Sequence, residues 1–231
     1  MSSCLCGLTF TFIINEISRV GIETKAQPMK NIVLDILEES IRVKDRFIKD
    51  NIPLILRGVD MLVSCITSGH KILIFGNGGS AADAQHIAAE FVNRFQIERP
   101  PLAALALTTD TSIITSIGND YNFDEIFSKQ IRALGKKHDV AIGISTSGNS
   151  KNVIQAIHAA EEIGMFTIGF TGYGGELAKC ADLVFSVKSK ITARIQEVHI
   201  ILGHILCDLV ERLLFPEKFD KPDFGTSCQL E

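Results

Sequence analysis

The stretch that decides the fold is Gly76-Asn77-Gly78-Gly79-Ser80, taken together with Ser145-Thr146-Ser147-Gly148-Asn149-Ser150 further along the chain. Each stretch follows a short apolar run and leads into a segment with helical periodicity. A loop that opens a helix presents backbone N–H groups that lack partners and carry partial positive charge, and hydroxyl groups add further donors. Two such loops predict a pocket for a phosphorylated small molecule at the carboxyl ends of parallel strands.

Apolar runs alternate with helical segments along most of the chain. We predict five strands, at 71–75, 103–107, 140–144, 166–170 and 183–187. The helices are predicted at 31–50, 53–67, 80–94, 112–118, 124–134, 149–163, 175–179 and 191–214, with Pro53 restarting the second one. This alternation predicts an α/β fold: a flavodoxin-like, doubly wound, five-stranded parallel sheet with long N- and C-terminal helices.

The length of 231 residues suits one large α/β domain with flanking helices. We expect residues 1–28 to be an N-terminal extension that is disordered or precedes the native start. Residues 29–216 should form the domain with its N-terminal helical pair, and residues 217–231 a C-terminal tail.

The composition argues against several classes of partner. The net charge is −4 and no basic stripe stands out, so nucleic acid is not an expected partner. No apolar run approaches the roughly 20 residues of a membrane span. The six cysteines form no CxxC pair, which favours free thiols in a reducing cytoplasm.

The last predicted helix is apolar nearly all round. Its stripe of apolar residues is widened well past one face by Ile200, Ile201, Leu206 and Val210. A helix of this kind needs two packing partners. The sheet supplies one, and the helices at 31–67 or a second subunit supply the other. A homo-oligomer is the economical inference.

Two pairs of polar residues could carry chemistry. His86 and Glu90 lie four residues apart on the helix after the first loop, so they share one face and could bind a metal ion or act as acid and base. A solvated surface pair has the same spacing. Gln196 and His204 lie eight residues apart, about 12 Å along an ideal helix, so they share a site only if a metal ion or substrate lies between them or the helix is distorted. His204 could equally be a hydrogen-bonded core residue.

The loop Gly76-x-Gly78-x-x-Ala81 also matches a loose dinucleotide-binding fingerprint. That fingerprint needs an acidic residue at the end of the second strand, whereas Glu98 precedes that strand and Asp110 follows it late. The hydroxyl-rich second loop suits a terminal phosphate better than a pyrophosphate. A nicotinamide enzyme remains the less favoured alternative.

The two loops and the motif Arg194-Ile195-Gln196-Glu197 together resemble the sugar isomerase (SIS) domain family, most closely its phosphoheptose isomerases. The resemblance covers residues 32–216. It implies an aldose–ketose isomerase that converts sedoheptulose 7-phosphate to D-glycero-D-manno-heptose 7-phosphate for bacterial lipopolysaccharide or capsule. It also implies a cytoplasmic homotetramer with one zinc ion per subunit.

The family's site residues carry over to positions of this chain that match its motifs. The implied zinc ligands are His86, Glu90, Gln196 and His204. The implied substrate contacts are Asn77, Gly78, Gly79, Ser80, Glu90, Arg94, Asn119, Asp120, Ser145, Thr146, Ser147, Ser150 and Gln196. Some members carry an acidic residue where this chain has Ala193. Within this set we expect Glu90 to act as the catalytic base and His204 as the acid.

Two other functions remain open at this stage. A non-catalytic relative with the same fold binds the replication initiator DnaA, and this chain shares segments with it, including Glu98-Arg99-Pro100. The chain nevertheless keeps Glu90 and His204, which a scaffold does not need, so an enzyme is favoured. A sugar-phosphate sensor is the remaining alternative.

Overall fold

The computed structural model describes residues 22–219, with side chains from residue 28 onward. The chain divides into two compact units, residues 1–42 and 43–231, and the boundary lies inside the first helix. The helices are α1 (Ile22–Thr67), α2 (Gly79–Val92), α3 (Thr111–Asp120), α4 (Ser128–Leu134), α5 (Lys151–Ile163), α6 (Leu177–Cys180) and α7 (Thr192–Leu214). The strands are β1 (Ile72–Gly76), β2 (Ala104–Ala106), β3 (Val140–Ser145), β4 (Phe166–Thr171) and β5 (Leu183–Ser186). Short 3₁₀ turns occupy Phe123–Glu125 and Pro216–Lys218.

The five strands form one parallel sheet in the order β2-β1-β3-β4-β5. This order confirms the predicted doubly wound fold. The order reverses between β1 and β3, because the chain runs outward from β1 to β2 and then returns to β3 on the other side. In sheets of this kind, ligands bind beyond the carboxyl ends of the strands at such a reversal. The two loops singled out in the sequence follow β1 and β3.

Alternate residues of β1 face opposite sides of the sheet, so both faces carry a hydrophobic core. Ile72 and Ile74 join the core that contains buried residues of α2, α7 and the 43–67 part of α1. Leu73 and Phe75 join the core formed with α4 and α5. Helices on both faces explain why β1 and β3 are buried along their whole length.

One prediction about the helices was wrong. The chain forms a single helix from Ile22 to Thr67 where the sequence predicts two, separated before Pro53. Pro53 removes one backbone donor, but the packing of Phe47, Ile55 and Val59 on the sheet outweighs that loss. The helix also starts inside the predicted 1–28 extension; residues 1–21 of that extension, and 220–231 of the predicted tail, lie outside the described residues.

Across residues 22–219, no helix is long and apolar enough to cross a membrane. Cys65, Cys180 and Cys207, the cysteines within this range, are free thiols, as predicted.

Candidate active site

The first loop is fixed by a pair of asparagines. Asn77 and Asn152 each donate an amide hydrogen to the side-chain oxygen of the other, over 2.9 Å. This reciprocal pair ties the end of β1 to the first turn of α5. Gly78 precedes α2 and provides no side-chain cap, and the N–H groups of Ser80 and Ala81 donate to the backbone carbonyls of Asn77 and Gly78. Ser80 is buried in the first turn of α2.

Gly79 allows Gln196 to approach this loop. A Cβ atom at Gly79 would collide with the Gln196 amide nitrogen, so a larger residue would require the Gln196 side chain to move. Gln196 lies in the first turns of α7. The structure therefore brings Gln196 against the first loop.

In the second loop, hydroxyl groups converge on Ser145. The Oγ atom of Ser145 lies 2.9 Å from Oγ of Ser150 and 3.3 Å from Oγ of Ser147. Ser147 also accepts a hydrogen bond from the backbone N–H of Asn149. Ser150 precedes α5 without capping it through its side chain. Three hydroxyls beside an uncapped helix start form a suitable environment for a phosphate group.

Close packing holds the second loop against the turn after β4. Gly148 has a φ of 67° and accepts a hydrogen bond at its carbonyl from the N–H of Leu177. A Cβ atom there would meet the Gly174 carbonyl and the Thr171 hydroxyl, so both the backbone angle and the space require glycine.

A cavity of about 390 Å³ opens beside the second loop. It is lined by Thr146, Ser147, Tyr173, Ser189, Lys190, Thr192 and Ile195. The sequence analysis missed Tyr173 and Lys190 as site residues. Lys190 follows β5. Because parallel strands end at one edge of the sheet, its position after a strand could have predicted it as a site residue.

His86 is the centre of a cluster at the facing surfaces of α2 and α7. Its Nε2 atom lies 3.1 Å from Oε1 of Glu90 and 3.2 Å from Nε2 of His204. The ring of Phe95 stacks on His204, with 5.6 Å between ring centroids. The helices approach closely here because Gly203 faces Ile87, where a Cβ atom would collide. The structure thus joins three of the predicted catalytic or metal-binding residues.

The environment of the cluster shifts two titratable groups. Partial burial lowers the pKa of His204, His86 lowers it further, and Glu90 acts in the opposite direction. His204 is therefore neutral at neutral pH.

Asp83, one turn before His86, has a pKa raised to about 6 by burial, against the effect of His86. Its Oδ2 atom is buried and has no hydrogen-bond partner among the described residues. The sequence analysis did not single out Asp83, although its spacing of three residues from His86 places the two side chains on the same face of the helix.

The side chains of the cluster are of the kinds that bind zinc, a carboxylate and two imidazoles. Tetrahedral zinc with bonds of about 2.0–2.1 Å places its ligand atoms about 3.3–3.4 Å apart. The 3.1 and 3.2 Å separations around His86 approach these values. In the described part of the chain, however, no three His, Cys, Asp or Glu side chains form a ready metal centre. The His86–His204 contact would have to open for an ion to enter.

Four other predicted site residues make contacts elsewhere in the structure. Gln196 packs on Gly79. Arg94 lies on the exposed segment after α2, 3.8 Å from Glu98. Asn119 donates a hydrogen bond to Asp120 at the exposed end of α3. These contacts of Arg94, Asn119 and Asp120 are made with residues close in the sequence.

Comparison with protein-family models identifies a SIS domain over residues 36–172. Among curated proteins, the chain is 54% identical to the phosphoheptose isomerase of Nitratidesulfovibrio vulgaris, over 80% of this chain and 90% of the relative. It is 56% identical to the phosphoheptose isomerase of Thermodesulfovibrio yellowstonii, over 77% of this chain and 89% of the relative.

Solved structures agree with these sequence matches. Phosphoheptose isomerase GmhA from Neisseria gonorrhoeae superposes with a TM-score of 0.75 at 47% identity, covering 79% of this chain and 98% of that one. A phosphoheptose isomerase from Francisella tularensis gives a TM-score of 0.77 at 38% identity, covering 80% and 98%.

Proposed function

We propose that this chain, which belongs to the SIS domain family, is an aldose–ketose isomerase of sugar phosphates that interconverts sedoheptulose 7-phosphate and D-glycero-D-manno-heptose 7-phosphate. The identity of about 50% to curated phosphoheptose isomerases, over nearly their whole length, supports the substrate and the role in heptose biosynthesis. The observation in the structure that carries the proposal is the cluster of Glu90, His86 and His204, which joins α7 to α2, the helix that opens at the first loop.

The reaction requires a base at carbon and an acid at oxygen. The ketose loses a proton from C1 to the base, giving an enediol, and the same base returns a proton to C2. Meanwhile O2 gains a proton and O1 loses one, so the atoms balance. Glu90 is the proposed base, because a carboxylate held beside an imidazole can take and return one proton. His204 is the proposed acid, since a neutral imidazole can donate its N–H and accept a proton at its other nitrogen.

We further propose one zinc ion per subunit, held by His86, Glu90 and His204. Gln196 is a fourth ligand by resemblance. When bound, zinc would polarise the substrate's carbonyl and hydroxyl oxygens. The ion would also replace the His86–His204 hydrogen bond and order the Glu90 carboxylate.

The second loop is the proposed site of the terminal phosphate. The hydroxyls of Ser145, Ser147 and Ser150 and the start of α5 supply donors, and Lys190 supplies a positive charge at the adjacent cavity. A seven-carbon sugar would extend from this loop to the His86 cluster, with Gln196 between them.

The finer features of this function are also proposals. A cytoplasmic homotetramer that supplies heptose for lipopolysaccharide or capsule is the arrangement that the family resemblance favours. A partner role with the replication initiator, without catalysis, is less well supported because Glu90 and His204 are both present and in contact with His86.

The experiment is turnover of sedoheptulose 7-phosphate by the purified protein, with metal-free and zinc-loaded samples compared. We expect the aldose product to form in the zinc-loaded sample and to fall after chelation. No product in either sample, from folded protein, would overturn the proposed activity. Equal rates in both would overturn the zinc proposal alone.

A further inference from the structure

A buried ion pair joins the two helices that carry the proposed acid and base. Nε of Arg99 lies 2.9 Å from Oε1 of Glu211, and both side chains are only 1% exposed. Arg99 follows α2, which carries Glu90, while Glu211 lies on α7, seven residues after His204. Two helical turns separate these α7 residues, so they lie on the same side of that helix.

Glu211 holds the segment between α2 and Arg99. Its carboxylate accepts hydrogen bonds from the backbone N–H groups of Phe95, Gln96 and Ile97, at 2.9, 2.9 and 3.3 Å. Burial alone would raise the pKa of Glu211, but these three bonds and Arg99 together lower it, so the group stays ionised. The first of the three residues, Phe95, is the one whose ring stacks on His204.

Arg99 binds the backbone at the end of α2. Its guanidinium donates to the backbone carbonyls of Glu90 at 2.8 Å and Phe91 at 2.7 Å. It also reaches the carbonyls of Asn93 and Pro100, at 3.4 and 3.1 Å. The last carbonyls of a helix lack partners within the helix, and a cation there is favourable. Arg99 therefore fixes the end of α2 at the residue that bears the proposed base.

We propose that Arg99 and Glu211 are positioning residues of the isomerase site, which set the placement of the Glu90 carboxylate relative to the His204 imidazole. This inference rests on the proposed function, because it assigns these two residues to the site of that reaction. The pair touches neither the substrate pocket nor the reacting atoms. It acts through the Glu90 carbonyl on one side and through the Phe95 ring on the other.

Stability by itself does not account for the pair. Replacing a buried ion pair by apolar residues of similar volume is often neutral or stabilising, because desolvation of the charges offsets their attraction. An apolar pair could fill the same space. It could not hydrogen-bond to the three N–H groups and four carbonyls that the ion pair holds in place. A site with a separate acid and base requires such fixed placement of its side chains.

The test uses conservative single variants and one apolar double variant. Arg99→Lys keeps the charge but cannot span the carbonyls and Glu211 at once, and Glu211→Gln keeps the shape but loses the charge. Arg99→Met with Glu211→Leu removes the ion pair without leaving a lone buried charge. The matched controls are Arg132→Lys and Glu162→Gln, which alter an exposed pair of the same residue types, 2.8 Å apart on α4 and α5.

We expect the folded Arg99 and Glu211 variants to lose about 10²-fold in kcat, the loss typical of a displacement of about 1 Å, with KM changed far less. The controls should keep the parent kcat. In the double variant, we expect the melting temperature to return towards that of the parent while kcat stays low. The NMR signals of the His204 ring, assigned with a His204→Asn variant, should shift in the Arg99 and Glu211 variants and not in the controls.

Parent-like kcat in any folded Arg99 or Glu211 variant would overturn the inference. Recovery of kcat together with melting temperature in the double variant would do the same, because it would show a purely structural role. If the single variants do not fold, the double variant decides between these results. Failure of the parent enzyme to convert sedoheptulose 7-phosphate would overturn the proposed function instead, and unshifted His204 signals would then overturn the positioning role separately.

Discussion

At the scale of single residues, the proposed base Glu90 can be tested by replacing its carboxylate with a neutral amide. Glu90→Gln keeps the size and polarity of the side chain, so substrate binding should survive. We expect turnover to fall by about 10²–10⁴-fold, as is typical when acid–base catalysis is lost. The measurement is kcat and KM for sedoheptulose 7-phosphate in metal-replete protein.

This prediction needs a control for metal content, since Glu90 is also a proposed zinc ligand. Zinc should be measured in Glu90→Gln and in His204→Asn beside the parent. A metal-replete, folded Glu90→Gln protein that works at the parent rate would show that another group is the base. Asp120 would then be the first alternative to examine.

The residues of the site differ in how far the sequence could predict them. His86 and Glu90 lie four apart on one helix, so their contact follows from helix geometry alone. The contact of His86 with His204 joins residues 118 positions apart, and it depends on the fit of Gly203 against Ile87. No periodicity encodes such a fit, so His204 entered the site through family resemblance. Gln196 was likewise assigned to the site through family resemblance, and its contact with Gly79 is seen only in the structure.

At the scale of elements, the second loop and the start of α5 should bind the phosphate group. Ser150→Ala removes a hydroxyl that lies 2.9 Å from Ser145, and Lys190→Gln removes the charge at the adjacent cavity. A hydrogen bond to a charged group contributes roughly 1.5–3 kcal/mol, so inhibition by inorganic phosphate should weaken about 10- to 100-fold in Ser150→Ala. Lys190→Gln should also reduce the salt dependence of binding.

Two control variants separate this effect from general changes. Ser68→Ala removes an exposed hydroxyl before β1, at the opposite edge of the sheet, and Lys188→Gln removes a lysine that pairs with Asp50 3.8 Å away. Both should bind phosphate as the parent does. Parent-like phosphate binding in Ser150→Ala and Lys190→Gln as well would exclude this loop as the phosphate site.

Element boundaries show what local patterns cannot predict. The strands were placed to within one or two residues because their apolar runs are bounded by polar loops. The break expected before Pro53 is absent, because a tertiary core holds Phe47 and Ile55 on the same helix. Proline is a strong local signal, but the packing energy of a long helix depends on residues distant in the sequence.

The buried His199 of α7 should make stability depend on pH. Burial lowers its pKa to about 4, although its bond to the Thr171 carbonyl acts in the opposite direction. Nε2 donates that 3.2 Å bond, and Nδ1 has no partner among the described residues. As pH falls below about 6.5, the unfolded chain binds a proton that the folded chain cannot, so stability is lost progressively down to pH 4.

The variant His199→Gln isolates this contribution, because glutamine does not titrate. Between pH 7 and pH 5 we expect the parent to lose about 2 kcal/mol more unfolding free energy than the variant, at one protein concentration. Urea unfolding at the two pH values gives both numbers. Equal losses in the parent and the variant would mean that His199 is protonated in the folded state.

At the scale of the whole molecule, the structure confirms the predicted topology, and the tetramer stays a prediction. A chain of alternating apolar strands and helices has few ways to close a parallel sheet, because crossovers are right-handed and consecutive elements are usually neighbours. In the structure of a single chain, apolar side chains are exposed on the 28–42 part of α1. The sequence pattern of that chain does not specify which surface would cover them.

These exposed residues support the proposed tetramer. Met29, Val33 and Leu37 succeed one another at intervals of four, and they are 63%, 64% and 53% exposed. Spacing of this kind forms one stripe along a helix, and exposed apolar stripes mark interfaces between proteins. In a closed symmetric oligomer, each copy would cover this stripe on a neighbour. We therefore expect sedimentation of the full chain to show a tetramer.

A charge placed in the stripe should disrupt this assembly. Leu37→Glu would bury a carboxylate at the proposed interface, whereas Asn31→Glu adds the same charge at another exposed position of the helix. We expect Leu37→Glu to sediment as smaller species at micromolar concentration and Asn31→Glu to remain a tetramer. A parent protein that is a stable monomer would mean that the stripe has another partner. A Leu37→Glu variant that stays tetrameric would mean that the interface lies elsewhere. The apolar surface of α7 around Leu213, which is 57% exposed, would then be the next to test.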